Sequence, residues 1–470
     1  MSRRSPCLAG FVLFTVLGIA TGRPAVCDDE AMQNWPTWRG PLSTAVAPHA
    51  DPPAEWSETK NVLWKVKVPG NALATPAVWG DRIFLMTTVA EDEAAMASSQ
   101  RAAQEKRDNS EWPPAVEPVG QSFVVMALST DDGSELWRRA VRTAVPHEAH
   151  YIDSSWASAS PVTDGERIYA HFGSNGTYAT TIDGELIWEV DLGDQTTRNA
   201  FGEGASPALH EGKLVVPWDH EGDSFLVVLD AASGEEIWRV ERPGEPTSWA
   251  TPTVVEVGDK AQIVLPGTGR SRGYDLATGE ELWSLAGMTT NIIPSPPVQD
   301  GVAFLASGFR GNKLQAVDLA KAKGALQDGS EEGGKRSAAV LWSRDRDTPY
   351  VPSLVLASSQ VCFLKHYKNI WTCVDAHTGG EVYQTRIEPL DNVWSSPVAA
   401  AGRIYILSRE GKTAVLKAGG EYELLATNEL DDRFDATPVL VGDRIYLRGR
   451  EHLYAIGQTA SASEGSAASR

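Results

Sequence analysis

Positive charge is scarce in this sequence: 42 lysines and arginines face 62 aspartates and glutamates, a formal charge of -20 over 470 residues. That balance argues against nucleic-acid or anionic-membrane binding by the whole surface, while leaving room for local basic patches. Long apolar runs are scarce too. The run CLAGFVLFTVLGIA, Cys7 to Ala20, follows Ser2-Arg3-Arg4 and ends at the small residues Ala20-Thr21-Gly22. It falls short of the roughly 20 residues a spanning helix needs, so residues 1–22 read as a cleavable export signal rather than an anchor. No later segment is apolar enough to span, which leaves no transmembrane segment after cleavage. The expected product is exported, periplasmic or extracellular. Cysteine is limited to Cys7, Cys27, Cys362 and Cys373. Pro24-Ala25-Val26 before Cys27 lacks the Leu usual in bacterial lipid-attachment sequences, so lipid anchoring is not expected.

Signatures of catalysis are missing as well. There is no serine nucleophile elbow and no phosphate loop; GTGRSRG, Gly267 to Gly273, lies between two strands and not at a strand-to-helix turn. His147 and His150 form a close pair without an identifiable third ligand. Asp219, Glu221 and Asp223 in WDHEGDSF depart from the calcium-loop spacing and read as an acidic hairpin. No metal site is expected.

What the chain has in abundance is repetition. YDLATGEELWSL, Tyr274 to Leu285, has close copies in VVLDAASGEEIWRV, ending at Val240, and VMALSTDDGSELWRR, ending at Arg139. A second signature, a small hydroxyl residue before Pro, occurs at Thr75, Ser160, Ser206, Thr251, Ser295, Ser396 and Thr437, with Ser353-Leu354 as a degraded eighth. Pro161, Pro207, Pro252 and Pro296 follow one another at 46, 45 and 44 residues, and Pro397 and Pro438 at 41. That period is one four-stranded blade. Each unit parses into short strands bounded by turn residues, with no helical periodicity of comparable strength.

The expected fold is therefore all-β, an eight-bladed β-propeller of four-stranded antiparallel blades over residues 56–457. The last unit stops at HLYAIG without a Trp strand, while NVLWKVKV, Asn61 to Val68, has a Trp strand without a unit; it should complete the eighth blade beside Glu451 to Ile456. Residues 23–55 form an N-terminal extension. Insertions fall at 91–120, expected to contain an exposed helix ending before Pro113, and at 320–338, expected to be a mobile loop. Residues 458–470 are expected to be a disordered tail.

The recurring Asp275, Gly279 and Trp283 pattern resembles the tryptophan-docking repeat of pyrroloquinoline-quinone (PQQ) type β-propellers. The resemblance implies that Trp64, Trp137, Trp188, Trp238, Trp283 and Trp342 pack between adjacent blades. The family holds both enzymes and scaffolds. For its dehydrogenases the resemblance implies an adjacent Cys-Cys disulfide over the quinone, a calcium ion and an Asp base. This chain has no Cys-Cys, so PQQ and calcium are not expected, and the non-enzymatic branch, which includes the BamB-type assembly scaffold, fits better. The alternative is a PQQ-dependent or other periplasmic oxidoreductase.

Two local features carry expectations of their own. Cys362 and Cys373 lie equidistant from the turn in QVCFLKHYKNIWTCVD and should face each other across an antiparallel pair, either as a disulfide or as two buried thiols. The hairpins between second and third strands share a rim with the blade connections. In blades four to eight they carry Arg270 and Arg272, Arg310 and Lys313, Lys365 and Lys368, Arg409 and Lys412, and Arg448 and Arg450. Aromatics stand shortly before the Pro positions: Trp156, Trp249, Tyr350, Trp394 and Phe434. A basic arc beside aromatics suits an envelope protein or an anionic ligand at one channel mouth of a monomer. The competing expectation is that the charges are merely solvated and the aromatics pack inward.

Overall fold

A computed structural model describes residues 29–330 and 334–458; the signal segment, Cys7, Cys27 and nearly all of the tail lie outside the described residues. The described residues form eight four-stranded antiparallel blades arranged as a β-propeller, one of them extended by a fifth strand. Blade 3 shows why the sequence builds them. Its middle strands, Lys213–Trp218 and Phe225–Asp230, are almost wholly buried and read as continuous apolar runs. Its outer strand, Glu236–Glu241, alternates between exposed and half-buried positions. Middle strands are covered on both faces by neighbouring blades, whereas the outer strand meets solvent on one side.

In five blades the Trp of the outer strand reaches the next blade. Indole Nε1 donates to a main-chain carbonyl there: Trp137 to Ile182 at 2.9 Å, Trp188 to Ala231 at 3.0 Å, Trp238 to Leu276 at 2.9 Å, Trp342 to Ala376 at 2.9 Å, and Trp64 to Thr130 at 3.1 Å. The ring lies against the glycine of the next blade's turn. Gly279 has φ +76°, and a Cβ there would come within 2.8 Å of the Trp238 ring, so both backbone and space demand glycine.

Trp283 departs from this rule. It is fully buried between blades 4 and 5, but its Nε1 approaches Gln262 of its own blade at 3.4 Å. The insertion explains the difference. It replaces the glycine turn that should receive Trp283, and within it Gly324–Leu326 forms a fifth strand, parallel to Glu281–Ala286, with Trp283 opposite Gly324. Part of the segment expected to be a mobile loop is thus an added sheet strand.

Closure occurs in two places. Val62–Lys67 pairs antiparallel with His452–Ile456 and completes the eighth blade. Around the axis, the N–H of each hydroxyl residue of the Pro signature donates to the hydroxyl of its counterpart in the next blade. The chain of bonds runs Thr75, Ser160, Ser206, Thr251, Ser295, Ser353, Ser396, Thr437 and back to Thr75, at 2.8–3.2 Å. Ser353 keeps its place although the following Pro is lost, because the hydroxyl is the functional half of the motif.

One face of the disk carries the turns between first and second strands, and the N-terminal extension crosses it. Trp35 exchanges main-chain hydrogen bonds with Val78 of blade 1, Arg39 donates to Leu354 of blade 6, Ala47 bonds Ala399 of blade 7, and Asp51 bonds Gly442 of blade 8. Trp38 lies at the base of the axial channel. The helix Glu93–Asp108, capped by Asp92, rises from the opposite face of blade 1. Among the described residues no helix is long and apolar enough to cross a membrane.

Candidate ligand-binding site at the channel mouth

Two residues before each hydroxyl of the ring stands a channel-lining position: Leu73, Ser158, Gly204, Trp249, Ile293, Val351, Trp394 and Asp435. Above them the channel widens into a cavity of about 620 Å³. Its walls are aromatic. On the side of blades 1 to 4, Trp112, Tyr151, Phe201 and Trp249 form one connected series, with ring centroids 5.5–6.0 Å apart. Across the ring, Phe309 stacks on Tyr350 at 4.9 Å, and Tyr367 lies 6.2 Å from Tyr350.

Local structure places these rings. After the insertion helix, Ala115–Val116 pairs with His150–Tyr151, which brings Trp112 onto Tyr151. Tyr367 rides on the 3₁₀ turn His366–Lys368 at the tip of a blade 6 hairpin. Trp112 and Tyr367, 61% and 72% exposed, stand at the rim.

Of the five aromatics expected at the mouth, Trp249, Tyr350 and Trp394 line this cavity. Trp156 turns instead to a narrow adjoining space, its Nε1 bonded to the Glu148 carbonyl and its ring 4.3 Å from His150. Phe434 is fully buried against Tyr454. Sequence reasoning missed Trp112, Tyr151, Phe201, Phe309 and Tyr367. Phe309 and Tyr367 sit next to Arg310 and Lys368 in the same hairpins as the basic residues, so the signal was present.

The basic residues divide. Arg310 is exposed, with its guanidinium 5.3 Å above the Phe309 ring, and lines the cavity. Arg270 and Lys368 are exposed, and Lys412 is half-buried. Lys365 is half-buried and bonds Asn312 at 2.5 Å. The others turn inward, all but Arg448 onto carboxylates. Arg272 pairs with Glu245 at 2.6 Å, and Lys313 with Asp328 and Asp345 at 2.9 and 2.6 Å. Arg409 is buried between Asp153 and Asp435 with Trp394 4.0 Å from its guanidinium, and Arg450 joins Asp435 at 2.7 Å. Arg448 is buried with Nε on the Gly449 carbonyl, and burial pulls its guanidinium down to about 10.

At this side of the mouth Arg107, Arg409, Arg433 and Arg450 share two carboxylates, Asp153 and Asp435. Burial would raise the Asp153 carboxyl, but the charges of Arg409, Arg107 and Arg433 outweigh it and hold it below the usual range. Glu203 at the floor behaves oppositely. Desolvation pushes it up to about 7, against hydrogen bonds from the Ser174 N–H and hydroxyl at 2.7 and 2.5 Å.

The weaker motifs also resolve. His147 Nε2 lies 2.7 Å from the Gln195 carbonyl, whereas His150 is buried on the Tyr151 carbonyl and held down to about 4 by desolvation, so the two rings serve different partners. Asp219 is buried in a bidentate pair with Arg242, at 2.7 and 3.0 Å, and Glu221 pairs with Arg198 at 3.2 Å.

A ring of tryptophan-docked blades around such a mouth has counterparts among known proteins. A family model described as outer membrane protein assembly factor BamB matches residues 121–379. The chain belongs to this family of PQQ-like repeat β-propellers. It is 21% identical to the outer membrane protein assembly factor BamB of Yersinia pestis over 70% of this chain and 78% of that one. It is 24% identical to a polyvinylalcohol dehydrogenase of a Pseudomonas species, over 38% of this chain and 24% of the dehydrogenase, so that match spans only about a quarter of the enzyme. In fold it resembles BamB from Moraxella catarrhalis, with TM-score 0.55 at 11% identity over 83% of this chain and 98% of that one. It also resembles a quinohemoprotein alcohol dehydrogenase from Pseudomonas putida, with TM-score 0.52 at 11% identity over 92% and 81%.

The quinone and calcium of the dehydrogenase branch can be tested against the residues present. Cys362 and Cys373 are direct partners across the blade 6 hairpin and form a disulfide, buried with Val355, Leu364 and Trp371. It lies inside the blade and cannot cap a ring in the channel. Of the mouth carboxylates, Asp153 and Asp435 are taken up by arginines and Glu203 accepts from Ser174, so they are not free to serve together as a calcium donor set. The residues present do not fit that pair of groups.

Proposed function

We propose that this is an exported, non-catalytic β-propeller of the cell envelope that works as a binding or scaffold protein, engaging its ligand at the channel mouth. The observation that carries the reading is the mouth itself, a cavity of about 620 Å³ walled by aromatics, above the part of the channel that Trp38 lines. Clustered Trp, Tyr and Arg side chains are what binding hot spots are made of. Its carboxyl groups are engaged by arginines or by Ser174, which suits binding better than proton transfer. Relatives described as outer membrane assembly factors support an envelope setting, and a structural disulfide suits an oxidising compartment.

The test has two arms. In the first, the purified protein and a Trp249→Ala/Trp394→Ala variant are used to capture components from an envelope fraction. Capture should fall at least tenfold in the variant, and equal capture would place binding elsewhere. In the second, PQQ and calcium are added. Bound-quinone absorbance together with dye-linked alcohol or sugar oxidation would overturn the non-catalytic reading.

A further inference from the structure

The cavity's chemistry narrows the ligand further, provided that the mouth is the binding face proposed above. Its volume falls in the range of small-ligand sites, of the order of 300–1,000 Å³. A folded partner would need roughly 800 Å² from each side. An extended peptide gains much of its affinity by pairing with a free strand edge. None is offered around the axis, because the innermost N–H groups of the hydroxyl ring are spent on one another. What faces the cavity is flat aromatic surface at two opposed rims, Trp112 and Tyr367, and between them planar polar side chains, among them Asn199, Asn291 and Arg310.

Aromatic faces carry negative charge and attract the polarised C–H face of a pyranose ring or a cation. The local charge decides between these. Four guanidiniums share two carboxylates on one side, and Arg310 stands exposed on the other with no ion pair among the described residues. Much of the negative charge of Glu203 is withheld near neutral pH by desolvation. A cation is repelled there, and an anion is drawn in, on a chain whose total charge is -20.

We propose that the mouth binds an acidic oligosaccharide, its rings stacked on Trp112 and Tyr367 and its carboxylate or sulfate groups on Arg310, which lines the cavity. Planar guanidiniums match both anions in a bidentate fork.

The probes are a uronic acid trimer, a sulfated trisaccharide, an uncharged glucose trimer and a glutamate-rich hexapeptide. Each is titrated into the mature protein with tryptophan fluorescence and calorimetry as readouts. One of the two acidic sugars should bind at least tenfold more tightly than the glucose trimer and the peptide, and which one it is separates carboxylate from sulfate recognition. Binding should weaken at least tenfold in Arg310→Gln and in Trp112→Ala, and be unchanged in Arg138→Gln on an exposed outer strand. Both mouth residues are exposed, so unchanged melting of the variants checks that they fold. Equal binding of the uncharged trimer, tighter binding of the peptide, or no sugar binding at millimolar concentration overturns the proposal. If no sugar binds but Trp249→Ala/Trp394→Ala still loses its envelope component, this inference fails and the broader function stands.

Discussion

Single residues in this propeller are legible once their neighbours are known, and Glu203 shows how a neighbour sets a titration. Its carboxyl, desolvated beside the cavity floor and further raised by the charge of Glu148, keeps its proton up to about pH 7, against an ordinary value of 4.5. A folded group that holds its proton more tightly than the unfolded one contributes stability below pH 4.5, and that contribution is lost as pH rises through 7. Glu203→Gln fixes the neutral form. The variant's advantage should be small at pH 5, under about 1 kcal/mol, and grow to about 3 kcal/mol at pH 8, because each tenfold gain in proton affinity on folding is worth roughly 1.4 kcal/mol. Urea denaturation at the two pH values measures this, and stability curves that stay parallel from pH 5 to 8 would show that the carboxyl is not held neutral. Nothing in the sequence announces Glu203. Its environment is made by Ser174, from another blade, and by the loss of water around it.

At the scale of the element, the repeat was readable because its markers are physically obligatory. Gly279 must be glycine, Trp238 must find a carbonyl, and the middle strands must be apolar throughout. The hydroxyl ring was half-readable: every one of the eight positions is Ser or Thr, but their mutual bonding appears only when the blades are set around an axis. The basic arc misled for the converse reason. Arg409 finds Asp153, 256 residues away, and no local pattern predicts such a counterion. Ser206 offers the sharpest test of the ring. It accepts from the N–H of Ser160 and is buried, so Ser206→Ala leaves that donor unsatisfied and should cost about 1–3 kcal/mol. Ser206→Thr keeps the oxygen, as Thr251 does in the next blade, and should cost less than half as much. Equal losses in the two variants by thermal and urea melting would mean that volume, not the hydrogen bond, matters at this position.

The whole molecule holds its ends together with two devices that can be separated. The extension crosses one face from blade 1 to blade 8 and places Trp38 at the base of the channel; the strand Val62–Lys67 that follows it completes the last blade. Removing residues 23–55 takes the strap and keeps the strand. The sheets stay closed, so a folded monomer with a lowered melting temperature is expected. Removing residues 23–68 also strips the outer strand from His452–Ile456 and leaves the glycine turn at Gly133 without the Trp64 ring. Loss of that indole alone is worth about 3 kcal/mol, and the bared edge is a template for pairing with a second chain. The longer truncation should therefore melt well below the shorter one and self-associate, as read by light scattering and sedimentation. Trp64→Ala in the full chain, which leaves the strand in place, should destabilise without association. If the 23–68 deletion remains monomeric and melts with the 23–55 deletion, the ring is held by its hydroxyl bonds and not by the returning strand.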